Sequence, residues 1–114
     1  MKTYEFKLPY PPSINGYWAT FKNRRIISKR GRDFRFESLK KMDGLNLSNE
    51  LVSGRVSVKL VLNPPTSRKY DVDNFTKAVF DALTHAKFWN DDEQVIRLTI
   101  EKGEKVNGGN VAII

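Results

Sequence analysis

The stretch from Arg55 to Asn63 most constrains what this chain can become. Val56, Val58, Leu60 and Leu62 alternate with less apolar neighbours, and Pro64-Pro65 then removes two backbone donors in succession. Period-two alternation is the signature of a strand with one buried face, and prolines cannot continue its hydrogen-bond ladder. A half-buried strand is stable only beside other strands, so the chain is committed to a sheet. Partners are visible. Thr3 to Leu8 alternates with Tyr4, Phe6 and Leu8 on one face and ends at Pro9, Pro11 and Pro12, and Gln94 to Glu101 aligns Ile96, Leu98 and Ile100. Asn107-Gly108-Gly109-Asn110 is turn chemistry that predicts a reversal, with Val111 to Ile114 returning as an antiparallel partner.

Between the strands the period changes to that of a helix. Ser28 is placed to cap a helix running to about Met42, with Phe36, Leu39 and Met42 as its apolar positions and Gly44 as its stop. Asn74 to Phe88 predicts a second helix, because Phe75, Ala78, Val79, Ala82, Leu83 and Ala86 form a stripe at three- and four-residue steps. Ser13 to Lys22, with Tyr17, Trp18 and Phe21, is expected to be an ordered loop entering a short Arg25-Ile26-Ile27 strand, its aromatics serving packing or an interface before base stacking. The expected fold is α+β: a mixed or antiparallel sheet of four to five strands with two helices packed on one face, as one domain over residues 1–114.

Composition then limits the chemistry. With no cysteine and a single histidine, His85, any metal must be held by oxygen. His85 falls near the end of the second helix and is expected to be a C-terminal helix residue there. The first residues alternate charged and apolar side chains and lack a continuous apolar stretch, so a cytoplasmic protein with no membrane partner is expected. The net charge of +7 is unevenly spread: residues 1–45 carry eleven Lys/Arg against four Asp/Glu, whereas residues 66–93 carry four against six. A basic half beside an acidic centre suggests a polyanion gripped by one part and processed by the other; an unevenly charged solubilising surface is the plainer alternative.

The acidic centre has two knots. Asp71 and Asp73 flank Val72 just before the second helix, where an extended chain points residues two apart the same way and a helix does not. Asp91-Asp92-Glu93 follows that helix. If both knots meet at one end of the sheet, their charges repel unless a divalent cation sits among them, and the oxygen ligand set suits Mg²⁺ or Mn²⁺. Lys77, four residues after Asp73, is placed to reach a phosphate held there. Each element has an ordinary alternative: Asp73 as a helix cap, the Asp91-Asp92 pair as a solvated turn, Lys77 as a surface ion-pair partner. Other uses of the letters fail. A calcium-binding EF-hand loop from Asp71 would need Gly and Glu where Thr76 and Ala82 stand, and a phosphatase with an aspartyl nucleophile needs a larger fold.

With these blocks in view, the chain resembles the RusA family of Holliday junction resolvases. The resemblance runs through Leu8-Pro9-Tyr10-Pro11-Pro12-Ser13-Ile14-Asn15, Asp71-Val72-Asp73-Asn74-Phe75-x-Lys77, Phe80-Asp81-Ala82-Leu83 and Phe88-Trp89-Asn90-Asp91-Asp92-x-Gln94-Val95. It implies a homodimeric, metal-dependent endonuclease that cuts four-way DNA junctions by paired nicks, often phage or prophage encoded. It also implies that Asp71, Asp73 and Asp92 bind the metal, that Lys77 is the essential lysine, and that Asp91 and Asn74 are supporting neighbours. The DNA-gripping surface is expected on Lys22, Arg24, Arg25, Lys29, Arg30, Arg32 and Arg35, joined by Arg68 and Lys69, although the arginine-rich run before Asp71 is thin here. Two rivals share these letters: a nuclease for other branched or flapped DNA, and a DNA-binding module without catalysis.

Overall fold

The alternating strands meet in one mixed sheet. The computed structural model describes residues 2–114, and in it β1 (Phe6–Pro9), β4 (Val56–Asn63), β5 (Val95–Lys102) and β6 (Asn110–Ile113) are ordered β1-β6-β4-β5. Leu60 and Leu62 of β4 are wholly buried, as are Leu8 of β1 and Val111 of β6. The other face of β4 carries Ser57 and Lys59, so the period-two pattern reports the core directly.

β4 and β5 run parallel, which a tight turn cannot achieve; the helix α3 (Thr76–His85) supplies the crossover. β6 is antiparallel, as its turn chemistry predicts, but to β4 and β1 rather than to β5. A turn signal fixes the reversal, not the neighbour. After β5 the chain crosses the end of β4, with Gly103 N–H on the Leu62 carbonyl at 2.7 Å and Val106 N–H on that of Pro64 at 2.9 Å. β6 then descends between β1 and β4, opposing Val111 to Leu62 and Ile113 to Leu60.

The aromatic stretch is more ordered than its sequence predicts. Ser13 caps a single-turn helix α1 (Ile14–Tyr17), accepting from Gly16 N–H at 3.2 Å. A two-stranded ribbon follows, β2 (Trp18–Phe21) against β3 (Arg24–Ile27). Its turn residues Lys22 and Asn23 both have positive φ, 51° and 61°, the geometry of a tight hairpin turn. Lysine does not advertise that conformation, so the hairpin carried no signal.

Ser28 caps α2 (Lys29–Gly44), its hydroxyl accepting from Gly31 N–H at 3.0 Å. The buried face of α2 is Gly31, Phe34, Ser38 and Met42, and Phe36, predicted to be apolar core, is 60% exposed beneath Lys40. Phe34 and Phe36 lie on different sides of a helix, and tertiary contact chose the former. Gly31 explains why. A Cβ there would lie 2.7 Å from Ile27 Cγ2 and 2.9 Å from the Tyr17 ring and carbonyl, so only glycine lets α2 begin against Tyr17. The predicted second helix is also divided: Val72–Asn74 form a separate 3-10 turn, and α3 starts at Thr76 with Phe75 in the cap position. Asp73 is therefore not the cap of α3.

Candidate active site

Two groups of polar residues flank α1. The first surrounds Asp71, which lines an open concavity of about 400 Å³ with Ser13, Lys69, Tyr70, Asn74 and Phe75. This segment is held by rings: Phe75 is buried between Tyr10, with centroids 5.4 Å apart, and Tyr70, at 5.7 Å. Lys102 lies over Tyr70 at 4.7 Å. The proline-rich block thereby supports the Asp71–Asn74 turn, with Pro11 and Pro12 both buried. Polar support is sparse: Asn74 N–H donates to the Asp71 carbonyl at 3.2 Å, and the Asp71 side chain makes no capping bond. Asp71 and Asp73 are exposed.

The second group lies where α3 meets the turn Asp92–Gln94. Here Asp91 caps the turn, its carboxylate accepting from Glu93 N–H at 3.0 Å. Gln94 Oε1 accepts from Asn90 N–H at 2.9 Å and Asp91 N–H at 3.1 Å, while its Nε2 donates to the Val52 and Gly54 carbonyls, each at 2.9 Å. Arg55 binds the Glu93 carbonyl at 2.8 Å and its carboxylate at 2.7 Å. The result is a tied-down turn that carries a partly buried Asp92. Burial first, and then the adjacent Asp91 carboxyl, push its pKa above the ordinary carboxylate value; Asp81 adds to this and Lys77 opposes it.

Lys77 and Asp81 lie one turn apart on α3, Nζ to Oδ1 at 3.2 Å. The other oxygen of Asp81 accepts from the Tyr17 hydroxyl at 2.9 Å, and that hydroxyl accepts from Arg35 at 3.0 Å. Tyr17 and Asp81 were not among the sequence-predicted site residues. Asp81 belongs to the Phe80-Asp81-Ala82-Leu83 block, four residues after Lys77, but nothing local links it to Tyr17, sixty-four residues away.

The structure thus gathers Asp92 with Asp91, Asp81 and Lys77, and Asp71 with Asn74 and Lys69. Among the described residues no three Asp, Glu or His side chains are drawn around one point. The donor set nonetheless fits a hard cation: carboxylate oxygens without sulfur, one of them carrying charge that burial and a like neighbour oppose.

The basic residues divide likewise. Lys22, Arg24 and Arg25 lie exposed on the ribbon, and Lys29, Arg30 and Arg32 on the first turn of α2, with Arg68 and Lys69 exposed before Asp71. Some are engaged: Lys29 pairs with Asp33 at 2.9 Å, Arg32 donates to the Ile27 carbonyl at 2.8 Å, and Arg25 covers Trp18 at 4.6 Å. Arg35 differs, turning inward onto Tyr17 with its Nε buried and without a partner among the described residues. Of the three aromatics, Tyr17 is core, Trp18 half-buried, and Phe21 is 58% exposed at the ribbon tip. His85 ends α3, exposed.

Known proteins carry the same pattern through nearly the whole chain. The family model described as Endodeoxyribonuclease RusA matches residues 9–114. A crossover junction endodeoxyribonuclease of Enterobacteria phage HK97 is 37% identical over 113 residues, 99% of this chain and 93% of that protein. Those of Enterobacteria phage 82 and Escherichia coli K12 are 36% and 34% identical, with the same coverage. With the sheet, the Asp71–Asn74 turn and the Asp91–Gln94 turn all inside the matched region, this chain belongs to the RusA endodeoxyribonuclease family.

Proposed function

We propose that this protein is a structure-specific endodeoxyribonuclease that resolves four-way DNA junctions by paired, symmetric nicks. The observation that carries the proposal is similarity over 99% of the chain to proteins named for that activity, a span that includes both acidic turns. In this reading Asp71, Asp73 and Asp92 hold Mg²⁺, or Mn²⁺, with Asp91 and Asn74 supporting them. When bound, the cation supplies a Lewis acid for the scissile phosphate and lowers the pKa of the attacking water.

The chain's own residues do the rest. Asp92, partly buried in the turn that Gln94 ties to Val52, presents a carboxylate whose ionisation is costly until a cation faces it. Lys77, with 44% of its side chain exposed, keeps its ammonium open to a phosphate oxygen, where a placed charge stabilises the developing negative charge. The exposed cations of the ribbon, of the first turn of α2 and of the segment before Asp71 grip backbone phosphates. Two equivalent nicks require two sites related by a dyad, so we propose a homodimer with C₂ symmetry. Among the described residues no helix is long and apolar enough to cross a membrane.

The experiment compares the parent and Asp73→Asn on a synthetic four-way junction, a flap and a linear duplex, with and without Mg²⁺. Junction-selective nicking by the parent, and retained binding with lost nicking in the variant, support the proposal. Equal cutting of flap and junction would favour the broader branched-DNA nuclease, and no Mg²⁺-dependent nicking at all would leave only a binding module.

A further inference from the structure

We infer that Tyr17 and Asp81 are positioning residues for Lys77, joined with Arg35 in a directed hydrogen-bond chain that holds the Lys77 ammonium in place. The inference rests on the proposed role of Lys77 as the catalytic cation.

The direction of the chain follows from donor chemistry. Arg35 can only donate, and it donates to the Tyr17 hydroxyl at 3.0 Å. The single phenolic hydrogen of Tyr17 is then free to go only to Asp81, 2.9 Å away. Asp81 is thereby anchored at Oδ2, leaving Oδ1 to receive Lys77 at 3.2 Å.

A surface pair with lysine preceding the acid by four residues is the weaker order on a helix, and such pairs hold their side chains loosely. This one differs in its base. Tyr17 is 1% exposed, and the Asp81 side chain 21%, whereas the Lys77 side chain above them is 44% exposed. Tyr17 is itself fixed from several sides: its carbonyl accepts from Ser28 N–H at 2.9 Å, the Ser28 hydroxyl donates to the Gly16 carbonyl at 2.6 Å, and Gly31 admits α2 against its ring. A flexible four-carbon side chain is thus held, through Asp81, by a buried tyrosine that belongs to a different part of the chain.

The test combines kinetics with a measurement on the free protein. Tyr17→Phe keeps the packed ring and removes the hydroxyl; it should lower kcat for junction nicking by about 10- to 100-fold, the scale of a 1 Å misplacement, while junction affinity changes little. In a Lys77→Ala background the same substitution should cost nothing further, because its effect passes through the lysine. Nitrogen-15 relaxation of the Lys77 ammonium, measured without DNA or metal, should show greater mobility in Tyr17→Phe. If Tyr17→Phe does not fold, Asp81→Asn, which keeps shape but not charge, is judged by the same three readouts. Parental kcat, an additive loss in the Lys77→Ala background or an unchanged ammonium would each overturn the inference while leaving the nuclease intact. A parent chain that nicks no DNA overturns the nuclease proposal and this inference with it.

Discussion

The two halves of the site are built in opposite ways. The turn at Asp91–Gln94 is bound on every side: a capping carboxylate, a glutamine spanning two chain segments, and Arg55 beneath. The Asp71–Asn74 turn rests on the Tyr10, Phe75 and Tyr70 rings, with one backbone bond across it and no side-chain cap. One carboxylate is therefore placed and partly desolvated in advance, and two are exposed on a lightly tethered segment. Under the proposed metal-binding role, a cation would meet the rigid ligand first and order the exposed ones afterwards; among the described residues no three such side chains are drawn around one point.

The largest effect should come from breaking either half at its ligand. Asp92→Asn and Asp71→Asn are each expected to lower nicking by roughly a thousandfold or more while junction binding persists; gel-based nicking and binding assays measure both. A small loss in one of them would show that its half does not hold the cation. Gln94→Ala should separate the halves. It strips four hydrogen bonds from the rigid turn, costing about 2 kcal/mol and a Tm drop on the order of 10 °C, with activity reduced by roughly 10- to 100-fold. Thermal melts that left Gln94→Ala at the parental Tm would contradict the contrast drawn between the turns.

Gly31→Ala is expected to cost about 1–3 kcal/mol through the clash with Tyr17 and Ile27, detectable by denaturant titration. Its effect should fall on the Lys77 side of the site and spare the packing of Phe75. The smallest effect concerns pH. Because burial and Asp91 raise the Asp92 pKa above its unfolded value, ionising Asp92 costs folded stability. That cost is absent below the unfolded carboxylate range and complete once pH exceeds the raised folded value. Without divalent cations, Asp92→Asn should therefore melt above the parent at neutral pH, the gap fading on acidification. Added Mg²⁺ should raise the parental Tm and slow amide exchange at residues 71–74 more than at 91–94.

Much of this was legible locally. The buried faces of β1 and β4, the Ser28 cap and both acidic turns follow from period, proline placement and residue chemistry, all properties of neighbours in sequence, whereas Ile96 and Leu98 of β5, aligned by the same period, are exposed. Phe36 shows the limit: it satisfied helical spacing as well as Phe34, and only the approach of α2 to Tyr17 across Gly31 decided between them. The β2–β3 ribbon escaped because its turn uses Lys22 and Asn23 at positive φ, and β6 found β4 instead of β5 because a turn does not choose its partner.

By itself the sequence determined that any metal would have to be held by oxygen, and it determined a basic half and an acidic centre, since charge and donor type belong to each residue wherever it lies. It also determined which residues of a strand share a face, because alternation is set by backbone geometry, but not that the face is buried: Ile96 and Leu98 of β5 share one and are exposed. Only the tertiary structure decided that Tyr17, Asp81 and Lys77 form one unit, that Arg35 turns inward, and that Asp92 is costly to ionise. Those outcomes depend on burial and on contacts between segments tens of residues apart, and no local pattern encodes either.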